Sequence, residues 1–270
     1  MLQRSTLCAL SFLAACSGGK SDDSGTSDDT DTDDTSTTDV APIDFTLTFV
    51  DGLDGSVLAG AETCVDEPVI EGENCFTTDE DGVVQWTWED PHETNFVARL
   101  TLDTYITTIY SGRYADDVAA NWETEIDDTG MVSLLYSAFT TASVGIFLGT
   151  GDITQEEGNG IFLFNLLDAN GAGVEGAVVT LTDDAGAESG TVHYANTGLS
   201  GLDTSLESTS ASGTVVVANL APGIHTATVS ALGYACQPWF SWDSDEENVV
   251  QLPVEADSMT RAGLFCATDL

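Results

Sequence analysis

The side chains that could do chemistry in this chain are clustered carboxylates, paired tryptophans and cysteines. Two acidic segments, 79–82 and 243–247, each offer several carboxylate oxygens, the ligands that Ca²⁺ prefers in proteins. Neither segment has the spacing of an EF-hand loop, so a solvated acidic turn is the favoured interpretation and calcium binding the alternative. No other metal or cofactor is expected.

Two pairs of tryptophans could form a platform for sugars. Trp86 and Trp88 share one face of a predicted strand, and Trp239 and Trp242 lie close together further along the chain. Exposed indole rings would stack on a glycan, whereas paired tryptophans in a sandwich strand more often fill a core. We favour the core and keep glycan binding as the alternative.

Catalytic arrangements find little support in residues 42–270, which we call the body. The only lysine, Lys20, precedes the body, so no body lysine can form a Schiff base or hold a phosphate. His92, His193 and His225 lack the spacing of metal ligands, and we expect His225 on the solvent face of an alternating strand. The chain is therefore predicted not to be an enzyme.

The cysteines indicate an oxidising compartment. Of the six, Cys8 and Cys16 belong to the N-terminal leader. The other four, which allow three disulfide pairings, are Cys64, Cys75, Cys236 and Cys266. Spacing and the internal repeat described below favour Cys64–Cys75 and Cys236–Cys266. A metal site is the rival interpretation, but the sequence has no CxxC pair.

The leader resembles the signal of bacterial lipoproteins. Arg4 precedes an apolar run, 7–15, that is too short to span a bilayer as a helix. The segment Leu13-Ala14-Ala15-Cys16 resembles a lipobox, in which the cysteine becomes the lipidated first residue. The resemblance implies a signal peptide at residues 1–15, a fatty-acyl anchor on Cys16 and the membrane as a partner. Ser17 resembles the signal for sorting to the outer membrane, so we expect an outer-membrane lipoprotein on the periplasmic or cell-surface side.

Charge dominates the rest of the chain. There are 46 acidic against 5 basic residues, a net charge of −41, so nucleic acid is excluded as a partner. Residues 17–41 are almost all Ser, Thr, Gly and Asp and cannot bury enough apolar surface to fold. We therefore predict that 16–41 is a lipidated, disordered acidic linker.

The body shows the pattern of an all-β protein. Apolar and polar residues alternate in many short runs bounded by Gly, Asp, Asn and Pro, for example at 45–49, 84–88 and 226–229. An internal repeat relates its two halves. Gly60-Ala61 and the turn 78–82 recur as Gly176-Ala177 and 209–213.

This order of elements resembles the carboxypeptidase regulatory-like repeat, a seven-stranded, transthyretin-like β-sandwich. Residues 161–235 carry its Gly-Ala-x-Val, Leu-x-Pro-Gly and Gly-Tyr, and the copy at 43–110 lacks Leu-x-Pro-Gly. The whole layout resembles envelope lipoproteins of myxobacteria. The resemblance implies two antiparallel Greek-key β-sandwich modules, at 42–140 and 141–270, and no activity of their own.

These observations favour a lipid-anchored cell-envelope protein with a non-catalytic structural, adhesion or binding role. The alternatives are a glycan-binding accessory lipoprotein and a calcium-stabilised adhesin; a protein partner also stays open. The second copy is longer than the first by residues of about 183–208. An elaborated loop on a sandwich is a common recognition site, although a plain surface hairpin is the favoured interpretation.

Overall fold

The computed structural model describes residues 43–67, 74–88, 95–113, 131–240, 242–243 and 248–268. The predicted signal peptide, Cys16 and the acidic linker lie outside these residues. Residues 40–270 form one compact unit. The module boundary at 140/141 stays a prediction.

Strands are the dominant secondary structure of the described part of the chain, which confirms the all-β prediction. The strands are β1 (Ile43–Asp51), β2 (Glu62–Glu67), β3 (Cys75–Thr77), β4 (Val83–Trp88), β5 (Asn95–Thr101), β6 (Thr107–Arg113), β7 (Met131–Ala138), β8 (Gly160–Asp168), β9 (Val178–Asp183), β10 (Thr191–Tyr194), β11 (Thr214–Leu220), β12 (Gly223–Ser230), β13 (Tyr234–Phe240), β14 (Trp242–Asp243), β15 (Val249–Val254) and β16 (Ser258–Thr268). A helix, α1 (Thr141–Gly149), separates the two copies of the repeat.

The first copy has two facing layers of strands. β1 lies between β4 and β7, and the facing strands run in the order β6, β5, β2 and β3. Alternate residues of β1 point into the core between the layers, where Phe45, Leu47 and Phe49 are at most 1% exposed. Tyr110 of β6 stacks on Tyr136 of β7 in the same core, with ring centroids 4.1 Å apart.

The second copy repeats this arrangement. β10, β11, β8 and β16 form one layer, and β14, β15, β12 and β9 form the other. The core between them includes Phe162, Phe164 and Leu166 of β8, all fully buried.

Strand pairing is not wholly antiparallel, in contrast to the expectation for the two sandwiches. In each copy the first strand pairs in parallel with the last, β1 with β7 and β8 with β16. The last strand enters its sheet after crossing over from the facing layer, and a crossover of this kind brings it back in the same direction as the first.

The two copies share one continuous sheet. β16 of the second copy pairs in parallel with β6 of the first, with Ser258–Arg261 alongside Thr107–Tyr110. Arg99 and Glu255 form a bidentate ion pair between the copies, with Arg99 Nε 3.0 Å from Glu255 Oε2. The sheet therefore runs without a break from β10 to β3.

The two copies bury opposite faces of this continuous sheet. Residues paired across neighbouring strands point to the same side, and Val216, Leu163, Arg261 and Tyr110 are paired in that order across four strands. Tyr110 belongs to the first core, whereas the second core uses the alternate residues of β8. One face of β11, β8 and β16 thus lies outside the second core, and α1 packs on it.

The hydrogen bonds of the first copy explain its repeated residues. Thr78 Oγ1 accepts from the Ala61 N–H at 2.9 Å and donates to the Leu58 carbonyl at 2.5 Å. The Gly60 N–H donates to the Thr78 carbonyl at 3.0 Å. Gly82 has a φ of +73° and accepts from the Phe49 N–H through its carbonyl, at 2.9 Å.

The second copy has the same bonds at the equivalent positions, which confirms the internal repeat. Thr209 Oγ1 accepts from the Ala177 N–H at 2.9 Å and donates to the Val174 carbonyl at 2.6 Å. Gly213 has a φ of +64°, and its carbonyl accepts from the Leu166 N–H at 2.9 Å. The threonine and the left-handed glycine are therefore framework residues in both copies.

The four body cysteines form the two disulfides favoured by their spacing. Cys64–Cys75 joins β2 to β3, and Cys236–Cys266 joins β13 to β16. Each bridge links directly opposed residues of two antiparallel strands, so each lies within one copy of the repeat.

The sequence pattern gave no indication of α1. Thr140 caps its N-terminus, where its hydroxyl oxygen accepts from the Ser143 N–H at 3.1 Å. The helix has apolar residues on several sides and no charged residue, so it lacks the amphipathic period that identifies a surface helix. Within the described ranges, no helix combines the length and the apolarity needed to cross a membrane.

Candidate functional site

The tryptophan platform predicted as an alternative is not present at Trp86. This side chain is 6% exposed and stacks on Phe45, with ring centroids 4.7 Å apart. Its ring faces the first core because Trp86 has the same strand parity as Val84, which is also buried. The side chains of Trp88, Trp239 and Trp242 lie outside the described residues.

The acidic turn 79–82 uses one of its carboxylates internally. Asp79 Oδ1 accepts from the backbone N–H groups of Asp81 at 3.0 Å and Val83 at 2.9 Å. These bonds form the turn that leads into β4. Among the described residues, no three His, Cys, Asp or Glu side chains gather as a metal site, and 244–247 lie outside them.

His225 is buried, so its expected place on the solvent face is wrong. It is 2% exposed and lies on the same face of β12 as the buried residues Ala227 and Val229. Its Nε2 is 2.8 Å from the Ala221 carbonyl oxygen. Strand parity counted from Ala227 would have placed it correctly.

The strongest candidate site is a groove of about 570 Å³ on the face of the second copy that α1 partly covers. Its floor is the outer face of β11, β8 and β16, contributed by Val216, Leu163, Ile161 and Met259. All four are apolar, and all except Leu163 are buried. The floor is therefore a second hydrophobic surface on strands that already bury their other face.

The helix forms one wall of the groove. Val144, Phe147 and Leu148 pack toward the floor, and Leu148 is 1% exposed. Ile146, on the other side of the helix turn, also lines the groove and is 74% exposed. α1 therefore covers part of the sheet and leaves the rest open beside it.

The extra residues of the second copy form another wall. Leu199 and Ser200 line the groove. The Leu202 N–H donates to Thr150 Oγ1 at 2.7 Å, which fixes this loop to the C-terminal end of α1. This loop, predicted as an elaboration of the second copy, thus meets the helix through a contact that no sequence pattern indicates.

Arg261 lies in this apolar setting. Its Nη1 donates to the Ser137 carbonyl oxygen at 2.8 Å and to the Ser137 hydroxyl, and its guanidinium lies 5.6 Å from the centre of the Phe139 ring. Burial lowers the pKa of Arg261 from its usual value. A guanidinium nevertheless stays protonated in proteins, so the groove contains a fixed positive charge.

Asn165 adds a polar group beside Arg261. It is two residues beyond Leu163 on the same face of β8 and is paired with Gly263, which has no side chain to separate Asn165 from Arg261. Asn165 Oδ1 accepts from Thr214 Oγ1 at 3.1 Å, so its amide nitrogen is left to donate elsewhere. The groove thus combines apolar walls with donors at its floor, the usual composition of a site for a small ligand.

Comparisons with known proteins identify no family for this chain. No family model and no curated protein matches it. Among solved structures, the TIE protein of Bacillus anthracis is 15% identical with a TM-score of 0.27, and the match covers 84% of this chain and 35% of that one. The shaft pilin SpaA of Lactobacillus rhamnosus GG is 12% identical with a TM-score of 0.27, over 85% and 99%.

The minor pilin GBS52 of Streptococcus agalactiae is 10% identical with a TM-score of 0.29, over 84% of this chain and 97% of that one. At these identities and TM-scores we infer nothing about this chain from them. Its fold and its groove rest on the geometry described above.

Proposed function

We propose that this chain is a lipid-anchored protein of the cell envelope with a non-catalytic role in structure, adhesion or binding. The observation that carries the proposal is the sequence Leu13-Ala14-Ala15-Cys16 followed by a linker of Ser, Thr, Gly and Asp. A lipid on Cys16 would hold the body at the outer membrane, and the linker would keep it away from the bilayer surface.

The structure of the body supports this role. Two disulfides suit an oxidising compartment outside the cytoplasm. The continuous sheet and the Arg99–Glu255 ion pair join the two copies of the repeat. A body joined in this way is suited to presenting a surface at a distance from the membrane.

Metabolic labelling with an alkyne fatty acid tests the anchor. We expect the full-length chain expressed in a bacterial host to be labelled and to sediment with the outer membrane. Cys16→Ser should lose both properties. Cys8→Ser, which removes the other leader cysteine, is the matched control and should keep both. Label that persists on Cys16→Ser, or is lost equally from both variants, would refute the lipid anchor.

A further inference from the structure

We propose that the groove binds a small apolar monocarboxylic acid, with its carboxylate on Arg261 and its apolar part between α1 and the loop 196–202. This inference goes beyond the function proposed above. It depends on the body alone and not on the lipid anchor.

The first support is the charge of Arg261. The chain has 46 acidic residues, yet no carboxylate lies at ion-pair distance from this guanidinium in the part of the chain that the structure describes. A charge in an apolar setting is costly unless it is paired. By contrast Arg99, which is also half-buried, has Glu255 as its partner. Arg261 therefore needs an anion that the described residues do not supply.

The second support is the set of unused donors. Both contacts of Arg261 with Ser137 use Nη1, and neither Nε nor Nη2 has an acceptor among the described residues. The amide nitrogen of Asn165 lies next along the floor and also lacks one there. A carboxylate has two oxygens and can accept from a guanidinium through both. The donors thus match a planar anion better than a single-atom one.

A purely structural role does not account for these donors. Arg261 does connect β16 to the edge strand β7 through Ser137, and it packs on Phe139. Those contacts satisfy one nitrogen, and both acceptors are neutral. Both acceptors could be bonded by a neutral donor in the place of Nη1, without the cost of burying a charge.

The third support is the apolar rim. Leu53, Ile146 and Leu199 are 70%, 74% and 54% exposed, and all three line the groove. They are three of the seven large hydrophobic side chains exposed among the described residues. Exposed apolar side chains grouped around a concave surface mark a binding site more often than isolated ones do.

The size of the groove favours a small molecule as the occupant. A volume of about 570 Å³ lies within the range of sites for small ligands. The Arg261 guanidinium lies at the floor of the groove, and Leu53, Ile146 and Leu199 lie at its rim. The carboxylate of the ligand must therefore enter first, and its apolar part must follow. A free monocarboxylic acid of medium length meets both conditions.

Isothermal titration of the purified full-length chain provides the first test, with octanoate, octan-1-ol and acetate as probes at neutral pH. We expect octanoate to bind at least about tenfold more tightly than octan-1-ol, because only the acid pairs with the guanidinium. Acetate should bind at least about tenfold more weakly than octanoate, because it has no apolar chain. Octanoate should also raise the melting temperature.

Variants assign the binding to the groove. Arg261→Gln should weaken octanoate at least about tenfold and leave octan-1-ol nearly unchanged, and Arg261→Lys should recover part of the loss. Arg99→Gln removes the same charge outside the groove and should bind octanoate like the wild type. Ile146→Ser should weaken both the acid and the alcohol, whereas Leu232→Ser, at a fully exposed position elsewhere, should weaken neither.

Several results would overturn the proposal. Equal affinity for octanoate and octan-1-ol, or for octanoate and acetate, would contradict it, as would no binding of any probe. Unchanged octanoate binding in Arg261→Gln would also refute it. Should Arg261→Gln fail to fold, the comparison of acid with alcohol in the wild type and the Ile146→Ser and Leu232→Ser pair still decide. Binding of an apolar peptide through its terminal carboxylate, without binding of octanoate, would replace the proposal.

Discussion

The two copies of the repeat share one framework but differ in what is added to it. In both, a buried threonine bonds a Gly-Ala turn, and a left-handed glycine accepts from the first strand. The distance from alanine to threonine is 17 residues in the first copy and 32 in the second. Much of the added length is β10 and the loop that forms a wall of the groove.

The difference separates the residues that specify the fold from those that form a candidate site. Thr78 and Thr209 have the same partners because both copies need the same turn. Leu199 and Ser200 have no equivalent in the shorter interval of the first copy. The site therefore arises where the second copy departs from the shared framework.

Removal of the disulfide from each copy in turn should lower the free energy of unfolding by different amounts. Cys236–Cys266 closes a loop of 30 residues and Cys64–Cys75 a loop of 11. In the chain-entropy model, removing them costs about 3.6 and about 2.8 kcal/mol of unfolding free energy, respectively. Urea unfolding of Cys236→Ala/Cys266→Ala and Cys64→Ala/Cys75→Ala checks the order. A larger loss from the shorter loop would contradict it.

The left-handed glycines should be nearly as sensitive. In Gly213→Ala the new Cβ would overlap the Leu166 carbonyl oxygen, and in Gly82→Ala it would lie 2.7 Å from the Phe49 carbonyl oxygen. We expect losses of about 3 kcal/mol in both variants, from the positive φ and the overlap together.

The matched control for these glycines is Gly171→Ala. Gly171 has a φ of +75° and nothing within 4 Å of an added Cβ, so only the conformational cost of about 1–2 kcal/mol remains. Equal losses at positions 213 and 171, measured by urea unfolding, would show that close approach contributes nothing.

The framework threonines should have matching effects in the two copies. Thr78→Val and Thr209→Val each remove one accepted and one donated buried hydrogen bond, and we expect each to cost about 2 kcal/mol. Thr180→Val, at an exposed position of β9, should change the free energy of unfolding by less than about 0.5 kcal/mol. A large loss of stability in only one of these two threonine variants would contradict the equivalence of the two copies.

Tyr110→Phe should give the smallest change in the free energy of unfolding, and at neutral pH this change should be a gain in stability. The Tyr110 hydroxyl is buried and has no hydrogen-bond partner among the described residues. Tyr110→Phe removes that unsatisfied group, so we expect a gain of about 1 kcal/mol, measured by urea unfolding at pH 7. A loss of stability would show that the hydroxyl has a partner.

The same residue should govern alkaline stability. Burial raises the pKa of Tyr110 above its usual value of 10, and burial together with the Asp51 hydrogen bond raises the pKa of Tyr105 to about 12. The folded state therefore retains protons that the unfolded state loses, and stability should fall as pH rises above 10. The stability of Tyr110→Phe should fall less steeply with pH than that of the wild type. An equal slope in the two proteins would show that Tyr110 does not cause the loss of stability.

The sequence predicted the framework because the framework depends on local residue types. Turn glycines, alternating strands and paired cysteines can each be identified from short stretches of sequence. The internal repeat then shows which of these stretches are equivalent in the two copies. Strand parity counted from Ala227 would also have placed His225 correctly, and parity counted from Val84 agrees with the core position that the sequence favoured for Trp86. The parallel pairing of β16 with β6 has no local signal, because it joins segments about 150 residues apart.

The groove could not be predicted for a related reason. It combines α1, the loop 196–202 and Arg261, which are distant in sequence and meet only in the folded chain. α1 has no amphipathic period, since apolar residues lie both on the side packed against the sheet, at Leu148, and on its exposed side, at Ile146. A single arginine in an apolar strand was the one available signal, and its lack of an acidic partner can be seen only in three dimensions.

Hydrogen exchange of the full-length chain, with and without octanoate, tests most directly the claim that the second copy's additions form a site on a shared framework. We predict slower exchange at residues 139–150 and 196–202, which surround the groove, and no change at 58–82, the equivalent framework of the first copy. Equal slowing in both copies, or no slowing at 196–202, would contradict the account.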